Sequence, residues 1–113
     1  MTTTDENRDP HQAIDYIIKN AKRYAKAKSQ RVYIEEFRKS LKAILMKKSG
    51  QDTIGAQERE AYAAEEYKEL LEGLRVATEV EEKLRWDLIA AQARVEVWRT
   101  EQANYRAEGK ATI

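Results

Sequence analysis

Residues 63–105 of the chain read AAEEYKELLEGLRVATEVEEKLRWDLIAAQARVEVWRTEQANY, and this stretch decides the fold. Steps of alternate fours and threes along it meet an apolar residue at almost every position. These positions are Ala63, Tyr67, Leu70, Leu74, Ala77, Glu81, Leu84, Leu88, Ala91, Val95, Trp98, Gln102 and Tyr105. A period of 3.5 residues kept over about six heptads indicates one long helix with a coiled-coil seam. Its two polar positions, Glu81 and Gln102, either set the register or mark where a neighbour ends.

The composition agrees with long helices and excludes several classes of protein. Charged residues make up 36% of the 113 positions, while four Gly and one Pro are too few for the turns of a β-sandwich or barrel. The sequence holds no Cys and one His, His11, which removes disulfides, thiolate zinc sites and most acid–base constellations. No apolar run approaches the roughly 18 residues of a membrane span. We expect an all-α cytoplasmic protein that has no cofactor or metal and is not an enzyme.

A first helix precedes the patterned one. Asp9 has the character of an N-cap and Pro10 suits the first helical position, while Ser49-Gly50 ends the segment. The sequence therefore predicts a single helical domain over residues 10–108. Its parts are helix one over about 10–48, a loop over about 49–55 and helix two over about 56–107. Residues 1–9 are expected to be a disordered tail, and residues 109–113 a C-terminal tail.

The apolar residues of helix one fall into two sets. The first set is Ile14, Ile17, Ile18, Ala21, Tyr24 and Ala25, and the second is Ile34, Phe37, Leu41, Ile44 and Leu45. At 3.6 residues per turn the two sets point in roughly opposite directions. This predicts a kink or break near residues 28–30, or a helix whose two halves meet different neighbours.

Two long helices joined by a short loop predict an antiparallel hairpin. Folding about residue 53 places Leu45 near Tyr62, and Ile17 near Leu88 or Ile89. Residues 11–50 carry eleven Lys or Arg against three Asp or Glu, whereas residues 51–84 carry four against ten. The hairpin sets part of the basic segment against the acidic one, so the formal net charge of +1 hides two charged halves.

Helix two is longer than helix one, which predicts self-association. Its far end extends past the partner and carries the proposed oligomer interface, Val95, Val97, Trp98 and Tyr105. Large apolar residues at seam spacing rarely stay bare on a monomer, and a two-helix unit of this size buries a small core. We expect a homo-oligomer.

Basic and aromatic residues are interleaved in the part of the chain far from the loop. Lys and Arg neutralise phosphates, while Tyr and Trp offer faces to unstacked bases, so the pattern favours single-stranded nucleic acid as a ligand. The candidates for base stacking are Tyr16, Tyr24 and Trp86. The candidates for DNA binding are Lys19, Lys22, Arg23, Lys26, Lys28, Lys42, Lys47, Lys48, Arg85, Arg99 and Arg106.

Residues 40–50, SLKAILMKKSG, resemble the segment LKARL, three residues, then Ser-Gly that ends the first helix of the UvsY-type recombination mediators of phages. Residues 81–86, EEKLRW, and 95–99, VEVWR, are similar to that family's later helix, and residues 84–108 also resemble small uncharacterised helical proteins of phages. The resemblance implies a ring-like oligomer that binds single-stranded DNA and helps to load a RecA-like recombinase in the host cytoplasm. Lys42 matches a DNA-binding position of the family, whereas Ile44 stands where the family has Arg.

Two functions therefore follow from the sequence. The first is a non-enzymatic, oligomeric single-stranded DNA-binding protein of phage recombination. The alternative is a small phage protein-binding module, or an inhibitor that docks on a host or CRISPR complex through its hairpin without nucleic acid. A coiled-coil assembly factor without a ligand is a third, structural possibility.

Overall fold

The computed structural model describes residues 9–111, and within this range the chain forms three α-helices and no strand. Helix α1 is Pro10–Lys48, helix α2 is Ile54–Ala63 and helix α3 is Glu65–Ala111. The all-α hairpin with a long second arm is therefore confirmed. The tail expected at residues 1–8 lies outside the described residues, while α3 continues through Gly109 to Ala111, into the segment expected to be a tail.

The turn after α1 is built from local hydrogen bonds. The hydroxyl of Ser49 donates to the Met46 carbonyl at 2.8 Å, and Gly50 follows with a φ of 73°. This left-handed conformation is open to Gly at little cost, which explains why Gly occupies the position. Lys47 and Lys48 lie in the last turn, where the helix dipole favours positive charge.

Helix α2 begins at a side-chain cap. Thr53 has extended backbone angles, and its Oγ1 accepts a hydrogen bond from the N–H of Ala56 at 3.2 Å. We expect Thr53→Ala to lower the free energy of unfolding by about 1 kcal/mol, because that N–H loses its partner. Urea denaturation followed by circular dichroism measures the change. Thr53→Ser keeps the oxygen and serves as the control; equal stability of the Ala and Ser variants would contradict the role of the cap.

The second arm is interrupted, which the sequence did not predict. Ala64 has a ψ of 143°, so the predicted continuous helix over 56–107 is replaced by α2 and α3. The break is stabilised by hydrogen bonds on both sides, since the N–H of Ala64 donates to Ala61 and its carbonyl accepts from Tyr67 and Lys68. Glu65 and Glu66 then lie in the first turn of α3, where the dipole favours negative charge.

Helix α1 is continuous, so the predicted break near residues 28–30 is wrong. Residues 26–31, KAKSQR, contain neither Gly nor Pro and consist largely of good helix formers. The side chains that α1 buries or half-buries recur in heptad steps along its whole length. The members of this seam are Ala13, Ile17, Asn20, Tyr24, Ala27, Arg31, Ile34, Arg38, Leu41 and Leu45, and further half-buried residues such as Tyr16 and Lys42 flank it. Several members of this seam are polar, so apolar spacing alone does not reveal it. Phe37 and Ile44, which were predicted on the apolar face, are exposed.

The described chain divides into two compact units. The first combines residues 9–24 of α1 with residues 83–111 of α3, and the second is formed by residues 25–82. The boundary divides α1 between Tyr24 and Ala25, which agrees with the alternative that its two halves meet different neighbours.

The core of the second unit lies beside the Ala64 break. Leu45, Ala61 and Tyr67 are buried together, with Leu41 and Met46 packed against them. The rings of Tyr62 and Tyr67 meet edge to face at 5.2 Å between centroids. Leu45 was predicted near Tyr62; its cluster contains Ala61, the neighbour of Tyr62, together with Tyr67 from the other side of the break.

In the first unit α1 packs against α3 along the predicted seam. Ala13 and Ala91 are buried, and Ile17 lines one groove together with Leu88 and Ile89, as the hairpin register predicted. The hydroxyl of Tyr16 donates to Asp87 at 3.4 Å at the edge of this contact. Within residues 9–111, none of the helices has the length and apolar character that crossing a bilayer requires.

Candidate nucleic-acid interface

The α1 basic face consists of Lys19, Lys22 and Arg23 in the first unit. All three residues are exposed, and their spacing of three and four places them on one side of the helix. The guanidinium of Arg23 donates to the side-chain oxygen of Asn20 at 3.1 Å, which orients it without neutralising its charge. Among the described residues, no carboxylate forms an ion pair with these three cations. Their positive charge is therefore available to a ligand.

Many other cations of the chain are neutralised internally. Ion pairs join Lys39 to Glu36, Arg75 to Glu72 and Glu79, Lys83 to Asp87, and Arg99 to Glu96. A hydrogen bond to Asp87 raises the pKa of Lys83 above its usual value. The α1 basic face differs from these residues because its charges are not compensated by a neighbouring carboxylate.

Lys42, the position that matches the resembled family, is engaged within the second unit. Its ammonium lies 3.8 Å from a carboxylate oxygen of Glu58 and 4.9 Å from the ring centroid of Tyr62. A hydrogen bond with Tyr62 raises the pKa of Lys42, and the charge of Glu58 adds to this effect. The side chain is half-buried in these contacts, which join the end of α1 to α2.

The other lysines singled out from the sequence are exposed and belong to the second unit. Lys26 and Lys28 follow the α1 basic face along the helix, and Lys47 and Lys48 lie at its end. Within residues 9–111 none of the four takes part in an ion pair.

The arginines predicted on α3 lie in separate surroundings. Arg85 covers the ring of Trp86 at 5.1 Å, and it lines the groove of the first unit together with Gln92. Arg99 and Arg106 lie near the end of α3, where they flank one surface groove beside Trp98.

The predicted stacking residues differ in accessibility. Tyr16 is half-buried, and burial followed by the charge of Asp87 raises the pKa of its hydroxyl. Tyr24 is half-buried in the groove with Ile17 and Leu88. Trp86 is 57% exposed, so it is the open aromatic platform of the predicted set.

The structure does not bring the two predicted basic stripes into one groove. The groove of the first unit is lined by Ile17, Ala21, Tyr24, Arg85, Leu88, Ile89 and Gln92. Lys19 and Arg23 lie on the other flank of the α1 seam, since they precede Asn20 and Tyr24 by one residue each. The candidate DNA-binding residues of α1 and those of α3 therefore lie on separate surfaces.

The predicted oligomer interface is largely open. Val95 is half-buried on the seam, whereas Val97, Trp98 and Tyr105 are exposed in the C-terminal part of α3. Ala90, Ala93, Arg94 and Glu101 complete a shallow groove around Val97 and Trp98.

The second unit contains a buried ion pair that was not predicted from the sequence. Glu81 is 4% exposed, and its two carboxylate oxygens accept hydrogen bonds from Arg31 at 2.6 and 3.2 Å. Arg31 also donates to Glu35 at 2.5 Å. Hydrogen bonding to Glu81, and then to Glu35, raises the pKa of Arg31. Continuing the heptad of α1 through Ala27 would have placed Arg31 on the seam opposite Glu81.

Within residues 9–111 no cluster of His, Cys, Asp and Glu is arranged to hold a metal ion. Comparison of the chain with protein-family models, with curated proteins and with solved structures finds no match. The function is therefore argued from the surfaces described above.

Proposed function

We propose that the chain is a non-enzymatic, oligomeric single-stranded DNA-binding protein of phage recombination. The observation that carries this proposal is the α1 basic face, where Lys19, Lys22 and Arg23 are exposed and, among residues 9–111, have no carboxylate partner. Cations that serve only to hold a hairpin together are expected to be paired across the helices, as Arg31 is with Glu81. An unpaired cluster at helical spacing suits a row of phosphates.

Binding in this proposal rests on neutralising the phosphate backbone. Lys and Arg release counterions from the nucleic acid without reading its sequence, so the affinity falls as salt rises. Trp86, with Arg85 over its ring, supplies an exposed face on which an unstacked base stacks. Single-stranded DNA is favoured over duplex because only unpaired bases expose their faces to such a side chain.

Self-association strengthens this binding. One basic face offers three charges, which alone gives weak affinity, whereas several copies held together present the same strand with many such faces. Val97, Trp98 and Tyr105 are the exposed residues through which α3 joins copies in this proposal. The resemblance to recombination mediators adds a RecA-like recombinase as the protein partner.

Charge reversal of the α1 basic face tests the proposal. The variant Lys19→Glu, Lys22→Glu, Arg23→Glu is expected to bind a fluorescent single-stranded oligonucleotide roughly a hundredfold more weakly, because three phosphate contacts become repulsions. Fluorescence anisotropy measures the dissociation constant, and light scattering shows whether the oligomer is intact.

A matched control separates this face from the effect of overall charge. Arg59→Glu, Lys68→Glu, Lys110→Glu makes the same change in net charge at exposed residues away from the face. This variant is expected to keep affinity within about threefold of the parent chain, since its charges are spread along the molecule. Equal losses in both variants would contradict a defined binding face, and unchanged binding in both would show that the DNA contacts lie on another surface.

A further inference from the structure

The second unit has an exposed apolar face made from both arms of the hairpin. On α1 it comprises Tyr33, Phe37 and Ile44, and on α3 it comprises Val76 and Val80. Tyr33 is 66% exposed and Val80 is 49% exposed, and the rings of Tyr33 and Phe37 stack at 6.1 Å between centroids. This apolar face carries none of the residues assigned to DNA binding or to the α3 interface.

Both halves of the apolar face lie on the same side of the hairpin. On a helical wheel of α1, Tyr33, Phe37 and Ile44 lie about a third of a turn from the seam. They are rotated away from it against the direction in which the chain winds. On the helical wheel of α3, Val76 and Val80 lie at a similar angle from the seam, and they too are rotated against the direction in which the chain winds. Because the two helices are antiparallel, equal displacements in the same sense lead to the same side of the pair.

The halves also lie at the same level along the helices. Arg31 contacts Glu81, and Leu45 belongs to the same cluster as Tyr67. The number of residues from Arg31 to Leu45 equals that from Tyr67 to Glu81, so the register is constant between these contacts. Phe37 is therefore level with Val76, and Tyr33 is level with Val80.

The rim of the apolar face is divided by charge. On the α1 side it holds Lys47 and Lys48, and at the same level on the α3 side it holds Glu65, Glu66 and Glu69. All five residues are exposed, and within the described chain none forms an ion pair. One half of the rim is thus basic and the other half is acidic.

Such a face is complementary to itself. A twofold rotation about an axis parallel to the helices places α1 of one copy over α3 of the other. Lys47 and Lys48 then meet the acidic rim of the second copy, while Phe37 and Tyr33 meet its Val76 and Val80. Each helix becomes antiparallel to both of its neighbours, which is the arrangement of an antiparallel four-helix bundle.

Gly73 is an independent sign of a close neighbour. It lies one turn before Val76 in the middle of α3, where Gly costs up to about 1 kcal/mol relative to Ala. A Cβ added at this position would meet no atom within 4 Å. Packing inside the chain therefore does not require a residue without a side chain here. A missing side chain leaves room for the helix of another molecule to approach.

We infer that a second copy of this chain docks on the apolar face and completes a four-helix bundle with the second unit. This self-association concerns surfaces separate from the α1 basic face, so it holds whether or not the chain binds DNA.

Two charge-reversed variants test the arrangement. The first, Lys47→Glu with Lys48→Glu, makes the whole rim acidic, and the second, Glu66→Lys with Glu69→Lys, makes it basic. Each variant alone is expected to dissociate at least roughly tenfold more readily than the parent chain, because like charges then face each other across the interface. An equal mixture of the two is expected to restore the dimer as a heterodimer, measured by native mass spectrometry and light scattering.

The mixture distinguishes contacts between copies from contacts within one chain. A restored dimer requires opposite charges on two different molecules, because mixing does not change the contacts inside either chain. Circular dichroism verifies that each variant keeps its helices. Trp98→Ser is the control for the end of α3 and is expected to leave the bundle intact. A monomeric parent chain, variants that associate as the parent does, a mixture that stays monomeric, or a dimer lost with Trp98→Ser would each overturn the inference.

Discussion

Replacing Glu81 by Ala is expected to lower the free energy of unfolding by about 3 kcal/mol, because the substitution leaves the guanidinium of Arg31 partly buried without its main partner. Glu81 is 4% exposed and receives two hydrogen bonds from Arg31. Equilibrium urea unfolding, followed by circular dichroism at fixed protein concentration, measures the loss.

The double replacement of Arg31 by Met and Glu81 by Leu is the informative control. Removing both charges leaves no uncompensated ion, so this variant is expected to be within about 1 kcal/mol of the parent chain. If Glu81→Ala cost less than about 0.5 kcal/mol, as an exposed ion pair does, the pair would not stabilise the hairpin. If the double variant unfolded as readily as Glu81→Ala, the loss would come from packing and not from charge.

Tyr67→Ala is expected to have a similar effect, about 3 kcal/mol, because it empties the centre of the second unit. Tyr67 packs with Leu45 and Ala61 and meets the ring of Tyr62 edge to face. Thermal and urea unfolding measure the loss, and α2 is expected to separate first, since this cluster ties it to the long helices.

Two variants control for the identity of the residue. Tyr67→Phe keeps the ring and is expected to cost less than about 1 kcal/mol. Tyr105→Ala removes the same side chain from a position that is 62% exposed, and should change the stability of the monomer by less than about 0.5 kcal/mol. Equal costs at Tyr67 and Tyr105 would show that Tyr67 is not the core residue that the structure places there.

The seam of α3 could be predicted from the sequence, whereas the seam of α1 could not. From Tyr67 to Val95 the 3.5-residue period is almost entirely apolar, and the structure buries or half-buries those positions. On α1 the corresponding positions include Asn20 and Arg31, which are buried or half-buried because they have hydrogen-bond partners. Apolar periodicity does not detect a buried polar residue, since the hydrogen bonds that allow its burial leave no mark on the hydrophobic pattern.

The Ala64 break has a similar explanation. Ala is the strongest helix former, so nothing local announces an interruption at that residue. The break follows from tertiary packing, because it lets Ala61 and Tyr67 meet Leu45 in one cluster. Local preference and tertiary packing disagree at this position, and packing determines the conformation.

The candidate site was predictable in part. Helical spacing placed Lys19, Lys22 and Arg23 on one face, and their exposure agrees with that prediction. Spacing could not show that Lys42 has a carboxylate partner, since Glu58 lies on another helix and the contact depends on the register between the two. The basic and acidic segments of the sequence are therefore only partly neutralised by ion pairs within the hairpin.

The central claim is that the chain binds single-stranded DNA through phosphate contacts. Anisotropy titrations of the parent chain with a labelled single-stranded oligonucleotide, repeated from about 50 to about 500 mM NaCl, test it most directly. For three phosphate contacts, a logarithmic plot is expected to have a slope of about −2, a loss of roughly a hundredfold in affinity over this range. Absence of binding at low salt, or an affinity that does not change with salt, would contradict the claim.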